Sequence, residues 1–251
     1  MSEKHPRQPI TGVFSKTTAS TIGAGSTARK TEAVTYFYAR ERADGVLEVQ
    51  PLGGQVVFGA VSELSLDEFL GTYMPEPQMS QERARAEATR QGAITKAVAR
   101  GDKMLKQGKN YSAEFEYGKA LALDEESVRA NFGIGQCYIA RGDTAKAREV
   151  LHRLVRLEAT FQDEHKHLFN EFGMNLRKSG MQVEALTFYA RALELCPDDE
   201  NLHYTMARAS FDMGDVPAAQ LRLLHCLALN REHTEAKRFM DFIQRAQPTG
   251  G

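Results

Sequence analysis

The sequence predicts a mainly α-helical protein, an α-solenoid of four helix hairpins and a capping helix, preceded by a small N-terminal β-hairpin unit. Three observations predict it. Short glycine turns recur at Lys106-Gln-Gly108, Ala140-Arg-Gly142, Lys178-Ser-Gly180 and Asp212-Met-Gly214, spaced by 34, 38 and 34 residues. Residue types repeat in register around those glycines. Tiny residues precede them by seven positions (Gly101, Gly135, Gly173, Ala207). Alanines follow by five (Ala113, Ala147, Ala185, Ala219), and large apolar residues by nine (Tyr117, Leu151, Tyr189, Leu223). Twelve positions after come Ala120, Leu154, Ala192 and Cys226. Ahead of the repeats, a stretch of β formers, Val34-Thr-Tyr-Phe-Tyr, leads to an Asp44-Gly45 turn. A fixed period of this size marks a stack of supersecondary units.

Each column has a physical reason. The turn glycine ends a helix because it adopts positive φ without a steric penalty. Tiny residues let two antiparallel helices approach closely, and the large apolar residue fills the space against the next hairpin. Pro197 closes the third segment, where a helix must stop. Pro217 falls near the start of a second helix, where its missing N–H costs little.

The pattern resembles the tetratricopeptide repeat family, most fully over Lys166–Asp199, where Phe172-Gly173, Leu176, Gly180, Ala185, Tyr189, Ala192 and Pro197 occupy the family's columns. The resemblance implies a right-handed solenoid with repeats at 94–127, 128–161, 166–199 and 200–233, interrupted at 162–165. A cap follows at 234–247, with Ala236, Phe239, Met240 and Ile243 on one face. The chain departs from the family at two columns. Glu125, Ala159 and Arg231 replace the proline, and Ala97, Asn131, Phe169 and His203 stand at the tryptophan position. An array of this kind beside a β unit is similar to uncharacterised bacterial tetratricopeptide proteins.

The N-terminal third reads differently. Residues 1–31 are polar and small, with five Lys/Arg against one Glu, and are read as a mobile tail. Residues 32–77 are expected to form the β hairpin, with Val46-Leu-Glu-Val-Gln as its second strand and Gln55–Phe58 as a candidate third. Ser65-Leu-Asp-Glu68 has capping-box spacing and opens a short helix. Residues 78–93 read as a linker helix.

Composition narrows the function classes. A net charge of -1 does not call for nucleic acid. No apolar run approaches the ~20 residues that cross a bilayer. The first residues lack a secretory signal, and Cys137, Cys196 and Cys226 have no metal-type spacing, so reduced thiols in the cytoplasm are expected.

No catalytic site, cofactor or metal is expected. Gly25-Ser-Thr-Ala-Arg-Lys30-Thr31 lacks the glycine before lysine, and the strand context, of a phosphate loop. Gly133-Ile-Gly135 lies inside a repeat helix and has no third glycine. His165 and His167, two apart, do not share a helix face. The cysteines have no His/Asp partners, and Cys137 and Cys226 sit at packing columns as small hydrophobes.

The family resemblance instead implies a groove lined by the first helix of each repeat. The groove residues it nominates are Arg129, Phe132, Gln136, Asn170, Met174, Arg177, Lys178, Tyr204 and Arg208. The family's well-known carboxylate clamp is not implied. Val98, Asp102, Gly133, His167 and Glu171 stand where its lysines, asparagines and arginine belong. The expected function is a protein–protein adaptor or scaffold with a protein or peptide partner. Alternatives are a chaperone for a secretion or pilus component, and ligand sensing by residues 32–75, with Tyr36, Phe37 and Tyr38 flanking a pocket.

Overall fold

The computed structural model describes residues 7–22 and 29–246. Contacts divide the chain into two units, Met1–Arg90 and Gln91–Gly251.

The first unit holds an antiparallel sheet and one short helix. Strands β1 (Thr11–Ile22) and β2 (Arg29–Glu41) pair along their whole length, from Thr11↔Arg40 to Ile22↔Arg29. The expected mobile tail is therefore wrong for 11–22. Composition judged that segment by how little apolar surface it carries. A strand needs less, because a partner strand satisfies its backbone and only alternate residues must be covered. Val13 and Ser15 are the covered ones on one face, while Phe14 packs on the other. Of the Gly25–Thr31 segment, 25–28 lie outside the described residues, and Lys30 and Thr31 belong to β2.

After the Asp44-Gly45 turn, β3 (Leu47–Gly53) pairs with β2. Its other edge takes β4 (Val56–Val57) and β5 (Ser62–Leu64). A short β6 (Met74–Pro75) borders β1. Helix α1 (Leu66–Thr72) starts at Ser65, where both bonds of a capping box form with Glu68. It lays Phe69 on the sheet, edge-on to Phe14 at 4.8 Å and stacked with Tyr73 at 5.0 Å, over Ala39, Leu47 and Val49.

Helix α2 (Pro77–Lys106) runs without a break, so the expected linker helix and first repeat helix are one element. Within the first unit, Ser80 Oγ accepts from the Val13 N–H at 2.8 Å, and the Arg83 guanidinium lies 4.7 Å over the Tyr38 ring. Tyr36, Phe37 and Tyr38 do not converge on a pocket. Alternate strand residues face opposite ways, so Phe37 meets Tyr73 at 5.2 Å while Tyr38 lies under Arg83.

The second unit is helical. After α2 come α3 (Asn110–Leu123), α4 (Val128–Arg141), α5 (Thr144–Arg156), α6 (Lys166–Lys178), α7 (Gln182–Leu195), α8 (Glu200–Asp212), α9 (Val216–Leu229) and α10 (Thr234–Ala246). The turn glycines between paired helices all sit at φ between +72° and +82°. The interruption before α6 is two 3-10 turns, Glu158–Phe161 and Asp163–His165.

The tiny column has a direct explanation. A Cβ on Gly101 would lie 2.6 Å from the Tyr117 ring, and one on Gly135 would lie 2.6 Å from Phe172. At Gly101 and Gly173 the large residue of the same hairpin, Tyr117 or Tyr189, fills the space the glycine leaves, and at Gly135 Phe172 of the next hairpin does so. Tyr117, Leu151, Tyr189 and Leu223 are all fully buried. Rings of Phe132, Phe169, Phe172 and Phe188 join the third hairpin to the second, with Phe132–Phe172 at 5.5 Å and Phe169–Phe188 at 4.4 Å. Asn131, at the tryptophan position, donates to the Glu125 and Ser127 carbonyls and accepts from Arg153, so its buried amide is satisfied.

Candidate functional site

The repeat spacing places one residue of each first helix in a common column: Asp102, Gln136, Met174, Arg208 and Phe242. The column is a ladder of differing chemistry along the face that α2, α4, α6, α8 and α10 share. None of the five is buried.

At the N-terminal end of the ladder the face is polar and indented. A pocket of about 360 Å³ is lined by Asp102, Leu105 and Lys106 of α2, Arg129, Phe132, Gly133 and Gln136 of α4, and His167, Leu168 and Glu171 of α6, with the Tyr117 edge beneath. A second pocket of about 330 Å³ adjoins it and shares Asp102 and Arg129. Asp102 organises both. It accepts from the Tyr117 hydroxyl at 2.7 Å and from Arg129 Nη2 at 2.9 Å. Burial, reinforced by Asp102, raises the Tyr117 pKa above the ordinary phenol value, so the hydroxyl stays a donor. Burial also lowers the His165 pKa, helped by His167 and Arg129 and opposed by Glu164, which favours the neutral ring there.

The nominated groove residues divide. Phe132 is only 1% exposed and holds the core through Phe172 and Phe188, so it underlies the pocket and is not offered to a partner. Sequence register puts it at the pocket, but its ring packs edge-on against Phe172 and Phe188 at 5.5 and 6.2 Å. Gln136 Oε1 accepts from Asn175 Nδ2 at 2.6 Å, and Arg129 is paired as described. Asn170 lines a separate crevice with Lys166, Phe169, Ala192, Cys196, Asp199 and Leu202. Arg177 is ion-paired to Asp212 across α6 and α8, with both side chains largely covered. Met174 and Lys178 are exposed. Tyr204 is half-buried, 5.1 Å from the His233 ring, and accepts from Arg208 at 3.3 Å.

At the C-terminal end the ladder becomes aromatic. Phe211, Phe239 and Phe242 form a cluster, with Phe211 edge-on to both others at 5.3 and 5.8 Å. The Arg208 guanidinium lies 5.2 Å over the Phe239 ring. The groove nominated from the sequence omits all three, with Phe239 assigned only to the apolar face of the cap. The signal was present, since Phe242 stands one 34-residue period after Arg208.

Elsewhere in this unit, burial raises the thiols of Cys137 and Cys226 to about 11, leaving them inert, while Cys196 is exposed. Arg141 and Glu114 form a covered ion pair between α4 and α3, and the Arg141 hydrogen bond holds the Glu114 carboxyl below its usual range despite burial. Among the described residues no helix is long and apolar enough to cross a membrane.

Comparison with known proteins agrees with the hairpin geometry. Residues 104–168 match the tetratricopeptide repeat family. Comparison with curated proteins gave no match. Among solved structures, PilF of Pseudomonas aeruginosa is similar at 19% identity and a TM-score of 0.48, over 62% of this chain and 70% of that one. MamA is similar at 20% identity and a TM-score of 0.46, over 61% and 81%. TTC0263, a thermophilic tetratricopeptide protein of Thermus thermophilus, is similar at 16% identity and a TM-score of 0.43, over 58% and 78%. At this level of likeness no partner of those proteins transfers to this chain.

Proposed function

We propose that this chain is a non-enzymatic adaptor that holds a segment of a partner protein along the face of α2, α4, α6, α8 and α10. The observation that carries the reading is the ladder Asp102, Gln136, Met174, Arg208 and Phe242. Repetition presents one accessible side chain per hairpin, at even spacing, with acid, amide, thioether, guanidinium and phenyl in series. Stacked repeats of this kind offer an extended binding surface. An extended segment offers backbone amides and alternating side chains to such a row. The two pockets that α2, α4 and α6 line together add depth at one end.

The compartment proposed is the cytoplasm. Three unpaired thiols, one of them exposed at Cys196, suit a reducing environment.

The test is capture of the native partner by full-length protein. Met174→Glu with Lys178→Glu alters exposed side chains on the ladder face, and Val183→Glu with Leu221→Glu alters exposed side chains of second helices. Arg177 is left alone, because its loss would strand Asp212. Both variants should keep the parent melting temperature. Loss of the partner by the first pair alone supports the groove; equal capture by both sinks it. A chaperone for a secretion or pilus component would use the same face, and protection of the captured protein from aggregation separates that role from an adaptor's.

A further inference from the structure

Three arginines stand on the ladder face, and their surroundings differ. Arg129 is paired to Asp102 and Arg177 to Asp212. Arg208 is half-buried, lies over Phe239 and donates to the Tyr204 hydroxyl, yet no carboxylate pairs with it among the described residues. A partly desolvated guanidinium beside aromatic walls is a strong site for a carboxylate, because the low local dielectric strengthens the contact. On either side of Arg208 in the column stand two exposed apolar side chains, Met174 at 39% and Phe242 at 55%. Phe242 is held in place by stacking on Phe239 at 6.3 Å and by Phe211.

We infer that the C-terminal half of the groove, Met174–Arg208–Phe242, takes an extended peptide segment of a partner in which one acidic residue is flanked on both sides by large apolar residues. The inference rests on the groove reading above and specifies its partner. Spacing follows from geometry. Neighbouring first helices lie about 10 Å apart, and an extended chain advances about 3.3 Å per residue. The acid therefore stands about three residues from each apolar anchor. The acid meets Arg208, one anchor meets Met174 and the other packs on Phe242. An acid suits this end and not the other. In the N-terminal pocket Asp102 and Glu171 stand among Lys106, Arg129 and His167, and Arg129 is already paired to Asp102, whereas Arg208 and the exposed Lys178 give the C-terminal half cations to offer.

The experiment is a two-dimensional NMR titration of the full chain with a synthetic Leu-Ser-Gly-Asp-Ser-Gly-Leu peptide, blocked at both ends. Control peptides carry Asn or Lys for Asp, or Ser for either Leu. We expect shifts confined to residues around Met174, Arg208, Phe211, Phe239 and Phe242. Affinity should fall at least fivefold with Asn, more with Lys, and at least threefold with either Ser. Arg208→Gln should make the Asp and Asn peptides bind alike, and Phe242→Ala should make one Leu-to-Ser change silent. Neither side chain is fully buried, and unchanged amide spectra elsewhere report that the variants fold. Three results would overturn the inference: no binding, equal binding of the Asp, Asn and Lys peptides, or persistence of the Asp preference in Arg208→Gln. Shifts clustered at Asp102, Gln136 and His167 would overturn it but leave the groove reading standing. Shifts confined to α7 and α9 would overturn both.

Discussion

Replacing Gly101 by alanine separates a packing explanation of the tiny column from a helix-propensity one. In an open helix interior the change stabilises by about 1 kcal/mol, since glycine loses more backbone freedom on folding. At Gly101 the new Cβ would lie 2.6, 2.7 and 2.8 Å from three atoms of the Tyr117 ring, against an ordinary contact of 3.4–4 Å. The ring has no route out. It is fully buried, and its hydroxyl is tied to Asp102 at 2.7 Å. Overpacking of a locked site costs about 2–3 kcal/mol. Setting the propensity gain against that leaves a net loss of about 1–2 kcal/mol. For a unit of this size the melting temperature should fall by about 2–8 °C. Gly118 supplies the internal control. It lies inside α3 with nothing within 4 Å of an added Cβ, so Gly118→Ala should raise stability by about 0.5–1 kcal/mol. The assay is thermal and urea unfolding followed by circular dichroism for the parent and both variants. A rise in stability for Gly101→Ala matching that of Gly118→Ala would refute the seam argument. A Tyr117→Leu background should relieve part of the Gly101→Ala penalty, a coupling that a double-mutant cycle measures.

Ala185→Arg should disrupt the array, because Ala185 is fully buried in the seam of the third hairpin and a long cation there has neither space nor partner; an unchanged melting temperature would show the register to be wrong. His203 should make stability depend on pH. Burial lowers its pKa, with Arg222 and His225 acting in the same sense while the Pro197 carbonyl and Asp199 oppose, and its Nδ1 is left without a partner. The fold therefore favours the neutral ring, whose contribution is complete above about pH 6.5 and declines as pH falls from there toward the lowered folded value, by at most about 1.4 kcal/mol per pH unit. His203→Leu should flatten that part of the stability profile between pH 7 and 5, and an identical slope in parent and variant would remove His203 as the cause.

Much of the fold was legible in the residues because repetition multiplies a weak signal. One glycine turn means little, but Gly108, Gly142, Gly180 and Gly214 at a near-constant period, each with an alanine five residues on, require the same hairpin four times. The capping box at Ser65 was equally local, since its two bonds close within four residues. Strand β1 was not legible, because its stability comes from pairing with β2, a partner that composition cannot see. The proposed binding face was legible as a register but not as a surface. Register placed Phe132 and Arg177 correctly on the first helices, yet the Phe132 ring is drawn into the core and the Arg177 charge is spent on Asp212.

By itself the sequence determined the period and the turns, since each depends on the chemistry of near neighbours, while the first helices were named as the binding face by the family resemblance. Only the tertiary structure decided which ladder side chains remain available. That depends on contacts between neighbouring repeats, where Arg129 and Arg177 each find a carboxylate while Arg208, among the described residues, meets the Tyr204 hydroxyl and the Phe239 ring.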